Sequence, residues 1–167
     1  CPGFPFLHRD ACHVHAAATQ IVGVKRWLLF PPETAPFLYA AGPTATRSSI
    51  KREFLETLFE PAIPLRTIHA YPLLAHVGGS RIVCDVGPHE TLVVPADWWH
   101  AARAADVFAA AASRRDELET RGRDESRACV SVAASFVDAS AVDAFNDAYG
   151  EFEATKALLK VGAGGIR

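Results

Sequence analysis

Ten residues, Ile21 to Phe30 (IVGVKRWLLF), are almost all β-branched, aromatic or aliphatic, and two prolines, Pro31 and Pro32, close the run. Such a segment predicts a strand, because branched and aromatic side chains suit a pleated surface and a double proline cannot continue one. The pattern recurs in RIVCDV (81–86), in ETLVVPADWWHAAR (90–103, interrupted at Pro95) and in ACVSVAASFV (128–137), with VGPHE as the turn between the first two. Many short strands punctuated by Pro and Gly favour a layered or closed β architecture over alternating βαβ units. The expected fold class is mainly β, a jelly-roll barrel.

Two helices interrupt or follow the strands. In SSIKREFLETLFE, Ile50, Phe54, Leu55 and Leu58 form one apolar face behind a serine cap, which predicts a short amphipathic helix. Beyond Asp138, the spacing of Val142, Phe145, Tyr149 and Phe152 predicts a second helix, ended by GAGG. Residues 33–49 read as loop, and the mixed-charge stretch 113–127 reads as a solvated loop or short helix. The expected organisation is a barrel over 1–137 and a helical extension over 138–167. The chain opens on Cys1, which suggests a piece of a longer protein whose first barrel strand or strands precede it.

Composition narrows the function classes. A net charge of −2 offers no general attraction to nucleic acid or to an anionic membrane. No apolar run approaches the ~20 residues that span a bilayer. The four cysteines (1, 12, 84 and 129) have no C-x-x-C spacing and read as reduced thiols of an intracellular protein, nuclear or cytoplasmic.

The chemistry concentrates in HRDACHVH, residues 8–15. On extended chain, residues i and i+2 share a face, so His8 and Asp10 can meet one ion. Alone, H-x-D is a weak signal in a chain with seven histidines. VPADWWH adds His100 on an otherwise hydrophobic strand, where a histidine is more often a satisfied core group than a ligand. If the barrel brings His100 opposite His8 and Asp10, two imidazoles and one carboxylate make the facial triad of non-haem Fe(II) oxygenases. Lys25 is the candidate anchor for an acidic cosubstrate. If it faces inward with Trp27 and Leu29, then Arg26 faces out, and a buried lysine needs an anionic or polar partner. An ordinary surface lysine is the alternative. Cys12, His13 and His15 lack the partners a four-ligand zinc site needs and read as loop residues near the cleft. His69, His76 and His89 stand alone in loop or turn contexts.

In combination, HRD, GVKRWLLFPP, ETLVVPADWWH and VSVAASFV resemble the JmjC-domain oxygenases of the cupin superfamily over about residues 3 to 137. The resemblance points to the branch of JMJD6-type lysyl hydroxylases and related protein and tRNA hydroxylases, and the 17-residue interval from His8 to Lys25 suits it. It implies a double-stranded β-helix using Fe(II), 2-oxoglutarate and O₂. It further implies His8, Asp10 and His100 as the iron ligands and Lys25 as partner of the distal 2-oxoglutarate carboxylate. Trp27, Phe30 and Trp99 are implied to have packing roles.

The implied activity is hydroxylation, or N-demethylation, of a protein side chain, lysyl before arginyl or asparaginyl. A protein substrate is expected and a membrane is not. Helices after the barrel mediate dimers in relatives of this kind, so the C-terminal helix is a candidate homodimer surface. Two positions depart from the family pattern: Ala18, seven before Lys25, and Ala133 replace polar residues near the cosubstrate. They favour the alternative of a cupin-like binding module without catalysis. A tRNA-modifying hydroxylase is a further alternative, and it predicts a basic surface that the charge balance does not supply.

Overall fold

The computed structural model describes residues 6–42, 44–105 and 128–163, with side chains described through 154. Among these residues six strands form two antiparallel sheets. They are β1 (His15–Val22), β2 (Lys25–Phe30), β3 (Ile82–Val86), β4 (Thr91–Val94), β5 (Trp99–Ala104) and β6 (Val130–Phe136). One sheet has the order β4-β1-β6 and the other β3-β2-β5. The fold is thus mainly β, and the helical segment between β2 and β3 packs on the outer side of the second sheet.

The run 21–30 is not one strand. It breaks at Gly23, whose φ of +76° suits a residue without a Cβ, and its halves enter different sheets. A Cβ on Gly23 would lie 2.4 Å from the Ala128 carbonyl oxygen, so the chain here also passes too close to its neighbour for a side chain. β1 begins earlier than propensity suggests, at His15, and runs through three alanines. Its strand geometry comes from pairing on both sides, Ala18 facing Leu92 on β4 and Ala133 on β6. Tertiary pairing overrides the weak local preference of alanine for strands.

Alternation along β2 sorts its side chains onto two cores. Trp27 and Leu29 pack between the sheets with Ala18, Val86, Val94 and Ala102. Leu28 and Phe30 point the other way, into a larger core with Leu38, Leu55, Leu58, Leu74 and Trp99. Both are fully buried, each worth about 2–3 kcal/mol of transfer free energy. Arg26 lies on that outer side and makes a two-pronged ion pair with Asp85 of β3, both contacts at 2.6 Å.

The helical layer differs from expectation in three respects. The first helix, α1 (Arg52–Leu55), is a single turn that tightens into a 3-10 turn over Glu56–Phe59. Its N-cap is Lys51, with no side-chain cap bond. The expected serines instead donate to the carbonyls of Leu38 and Tyr39, tying the preceding loop to the core. Residues 60–80 hold α2 (Leu65–Ala70) and a 3-10 turn (Pro72–His76), so His69 and His76 lie on helical turns, not in loops. The C-terminal helix, α3 (Val142–Ala163), forms where the apolar spacing places it. The Asp138 carboxylate accepts from the Ser140 and Ala141 amides at its start. No described helix is long and apolar enough to cross a membrane. The charged stretch 113–127 lies outside the described residues.

Candidate metal centre

His8 and His100 meet through their backbones before they meet through their rings. The His8 amide donates to the His100 carbonyl at 3.0 Å and the His100 amide returns the bond at 2.6 Å. This reciprocal bridge lays residue 8 along the edge of β5 and sets the two ring centroids 4.3 Å apart. Inward alternation on β5 buries His100 beside Leu29, its partner on β2.

Each imidazole is also held at its second nitrogen. His100 Nδ1 lies 3.1 Å from the Trp98 carbonyl and His8 Nδ1 lies 3.4 Å from the Phe6 carbonyl. A carbonyl only accepts, so Nδ1 is the donor in both rings and Nε2 is the nitrogen left to face a metal. Backbone anchoring of this type orients histidine ligands for a metal. Burial, and after it the nearby His100, lowers the His8 pKa below the ordinary value, which keeps a neutral donor available.

Asp10 completes the set from the loop that follows His8. Its Oδ1 lies 4.0 Å from His8 Nε2, and one donor atom each from His8, Asp10 and His100 lies within 4.8 Å of the others. Bonds of about 2.1 Å on one face of an octahedron set ligand atoms about 3 Å apart, so binding an ion draws the three side chains inward by roughly 1–2 Å. Two imidazoles and one carboxylate, with the remaining directions open, fit a divalent iron-type ion.

Lys25 stands away from this cluster but inside the same space. It shares the inward alternation of Trp27 and Leu29, and its Nζ donates to Ser131 Oγ on β6, in the opposite sheet, at 2.9 Å. It also lies 5.2 Å from the Trp27 ring centre. Ala18 and Ala133, the two departures from the family pattern, are register partners across β1 and β6.

Three further residues of HRDACHVH, Arg9, His13 and His15, make polar contacts with distant parts of the chain. His15 opens β1, accepts the Ala96 amide at Nδ1 (3.1 Å) and donates from Nε2 to Asp138 (3.1 Å). That joins the barrel to the start of α3. His13 Nδ1 donates to Asp97 Oδ2 at 2.7 Å, and Arg9 Nη1 donates to Asp97 Oδ1 at 3.3 Å. A cleft of about 450 Å³ runs beside Asp10, walled by Arg9, His13 and Asp97 from the barrel and by Glu151 and Phe152 from α3. The apolar side of α3, read from sequence as a candidate dimer surface, also contributes Phe152 to the cleft. Ser131, Arg9 and Asp97 escaped the sequence reading; the one legible signal was a polar side chain in the turn that leads into WWH.

A Cupin-like domain model matches residues 5–132, more than half of the chain. The chain belongs to the Cupin-like domain family. HSPB1-associated protein 1 of Mus musculus is 29% identical over 112 residues, covering 65% of this chain and 21% of the relative. The Bos taurus protein of the same name is 30% identical over 100 residues, 60% of this chain and 19% of the relative. The lysine-specific demethylase JMJ21 of Arabidopsis thaliana is 30% identical over 93 residues, 56% of this chain and 9% of the relative. The chain thus spans about a fifth of the length of the first two curated relatives. A JmjC-type cupin-like domain is consistent with 2-oxoglutarate-dependent oxygenase chemistry, and a demethylase is among its distant relatives.

Proposed function

We propose that this cupin-like domain is the catalytic barrel of an Fe(II)- and 2-oxoglutarate-dependent oxygenase acting on a protein side chain. The observation that carries the reading is the convergence of His8, Asp10 and His100, with both imidazoles anchored at Nδ1 so that their Nε2 atoms remain available. Bound iron, 2-oxoglutarate and O₂ would together supply the chemistry: the substrate C–H becomes C–OH while 2-oxoglutarate leaves as succinate and CO₂.

The protein's own contributions follow from its side chains. His8, Asp10 and His100 would hold the metal from one side and leave the other to cosubstrates. Lys25, now donating to the Ser131 hydroxyl, would turn its ammonium to the distal carboxylate of 2-oxoglutarate. Trp27, Leu29, Val94 and Ala102 line the inter-sheet core and would limit water around the reacting centre. A substrate side chain would enter along the cleft between Asp10 and α3. The JMJD6-like branch and lysyl specificity are the finer form of this proposal. The names of two relatives, a lysine-specific demethylase and an HSPB1-associated protein, agree with a protein as substrate.

The test is succinate release by the full-length protein supplied with Fe(II) and 2-oxoglutarate. Turnover that is lost in His100→Ala and Asp10→Ala supports the oxygenase. A folded protein that neither turns over nor binds 2-oxoglutarate sinks it and leaves a non-catalytic cupin-like module.

A further inference from the structure

Of the three ligand candidates, Asp10 is the one whose own secondary structure does not place it. His8 and His100 are fixed by a reciprocal backbone bridge and by Nδ1 anchors, whereas Asp10 sits in irregular backbone between that bridge and β1. Its neighbours are tied down instead. Arg9 and His13 bracket it in sequence, and both donate to Asp97, one to each carboxylate oxygen. Arg9 is further held by its backbone amide on the Thr46 carbonyl (3.0 Å), by its Nε on the Ala45 carbonyl (3.2 Å), and by the Trp99 ring 5.8 Å away.

The backbone on both sides of this contact is conformationally committed. Cys12 and His13 are consecutive left-handed residues, with φ of 62° and 53°, and Asp97 opposite them has φ of 63°. Left-handed geometry costs an L-residue about 1 kcal/mol or more and persists only where surrounding contacts over-determine it. Here two such residues, His13 and Asp97, meet through the Asp97 carboxylate, and the turn that carries Asp97 leads in three residues to His100. One carboxylate therefore ties the Asp10 loop to the strand of the distant histidine.

We infer that Asp97 is a positioning residue for the metal centre, clamping Arg9 and His13 so that the Asp10 carboxylate is held against His8 and His100. This rests on the metal-binding reading above and assigns Asp97 no contact with the metal. The two-oxygen arrangement makes the requirement specific. An asparagine keeps the left-handed preference but offers one acceptor in place of two, and a glycine keeps the backbone but offers none.

The experiment is a titration of the metal-free 167-residue protein with Co(II) alone, followed by its visible d–d absorption, with thermal melts of each metal-free variant alongside. Wild type is expected to bind, and Asp97→Gly to bind 10- to 100-fold more weakly with an altered d–d band, the range typical of lost outer-sphere support. Asp97→Asn should fall between the two. A merely structural role would lower the melting temperature yet leave the Co(II) affinity and spectrum of the folded protein unchanged. Asp97→Gly that binds within twofold of wild type with the same spectrum overturns the clamp alone. A wild type that does not bind Co(II), or binds it as well with His100→Ala, overturns the metal centre and the clamp with it.

Discussion

Gly23 is the point at which one hydrophobic run is divided between two sheets, and Gly23→Ala tests that division directly. Two costs add. An alanine at φ +76° pays about 1 kcal/mol that glycine does not. Its Cβ would also sit 2.4 Å from the Ala128 carbonyl oxygen and 3.2 Å from the Cys129 Cα. Relief requires a shift of roughly 1 Å, and both contacts are backbone, so no side chain can rotate away; strain of this kind costs about 1–3 kcal/mol. The sum is a loss of about 2–4 kcal/mol, or a fall in Tm of roughly 5–15 °C for a chain of this size. The strain falls on the entry to β6, next to the Val22–Val130 pair and close to the Ser131 that meets Lys25. Thermal and urea unfolding followed by tryptophan fluorescence would measure it. Gly78→Ala is the control, because nothing lies within 4 Å of its Cβ position and its φ is not left-handed. That variant should stay within about 0.5 kcal/mol of wild type. A Gly23→Ala protein equally close to wild type would refute both the torsional and the steric reasoning.

Three other outcomes are expected. Leu28→Ala, at a fully buried position on β2, should lose about 2–5 kcal/mol in urea unfolding, whereas Leu73→Ala, 40% exposed, should be near neutral. Lys25→Met should weaken 2-oxoglutarate binding to the metal-loaded protein at least about tenfold in calorimetry while leaving Co(II) binding unchanged, because removing one partner of a charge-assisted contact costs about 1.5–3 kcal/mol. Asp85→Asn should flatten the acid side of the stability–pH profile. The Arg26 guanidinium holds the Asp85 pKa below the ordinary carboxylate value. Its contribution is therefore present above the unfolded value of 3.8 and is lost as pH falls through the lower folded value. Both side chains are more than a third exposed, so the effect is small, about 1 kcal/mol at most, and should shrink further in salt.

Sequence alone determined a good part of this protein. Periodicity and proline punctuation located β3, the break at Pro95 between β4 and β5, β6 and α3, because each is set by side-chain alternation or helical spacing within a few residues. Residue type and spacing, together with the family resemblance, nominated His8, Asp10, His100 and Lys25, and the β2 alternation sent Lys25 and Arg26 to opposite faces. What only the tertiary structure decided depends on partners far along the chain. β1 exists through its pairing with β4 and β6, which no preference within its three alanines foretells. The division at Gly23 depends on the Ala128 backbone passing close by, and the serines expected to cap α1 are spent on carbonyls ten residues earlier. The convergence of His8 with His100 is a backbone bridge across 92 positions, and the Asp97 contacts to Arg9 and His13 span 88 and 84. Local sequence carries the preferences of each short segment, but hydrogen bonds between segments choose among them, and it is those bonds that turn scattered histidines and carboxylates into one candidate site.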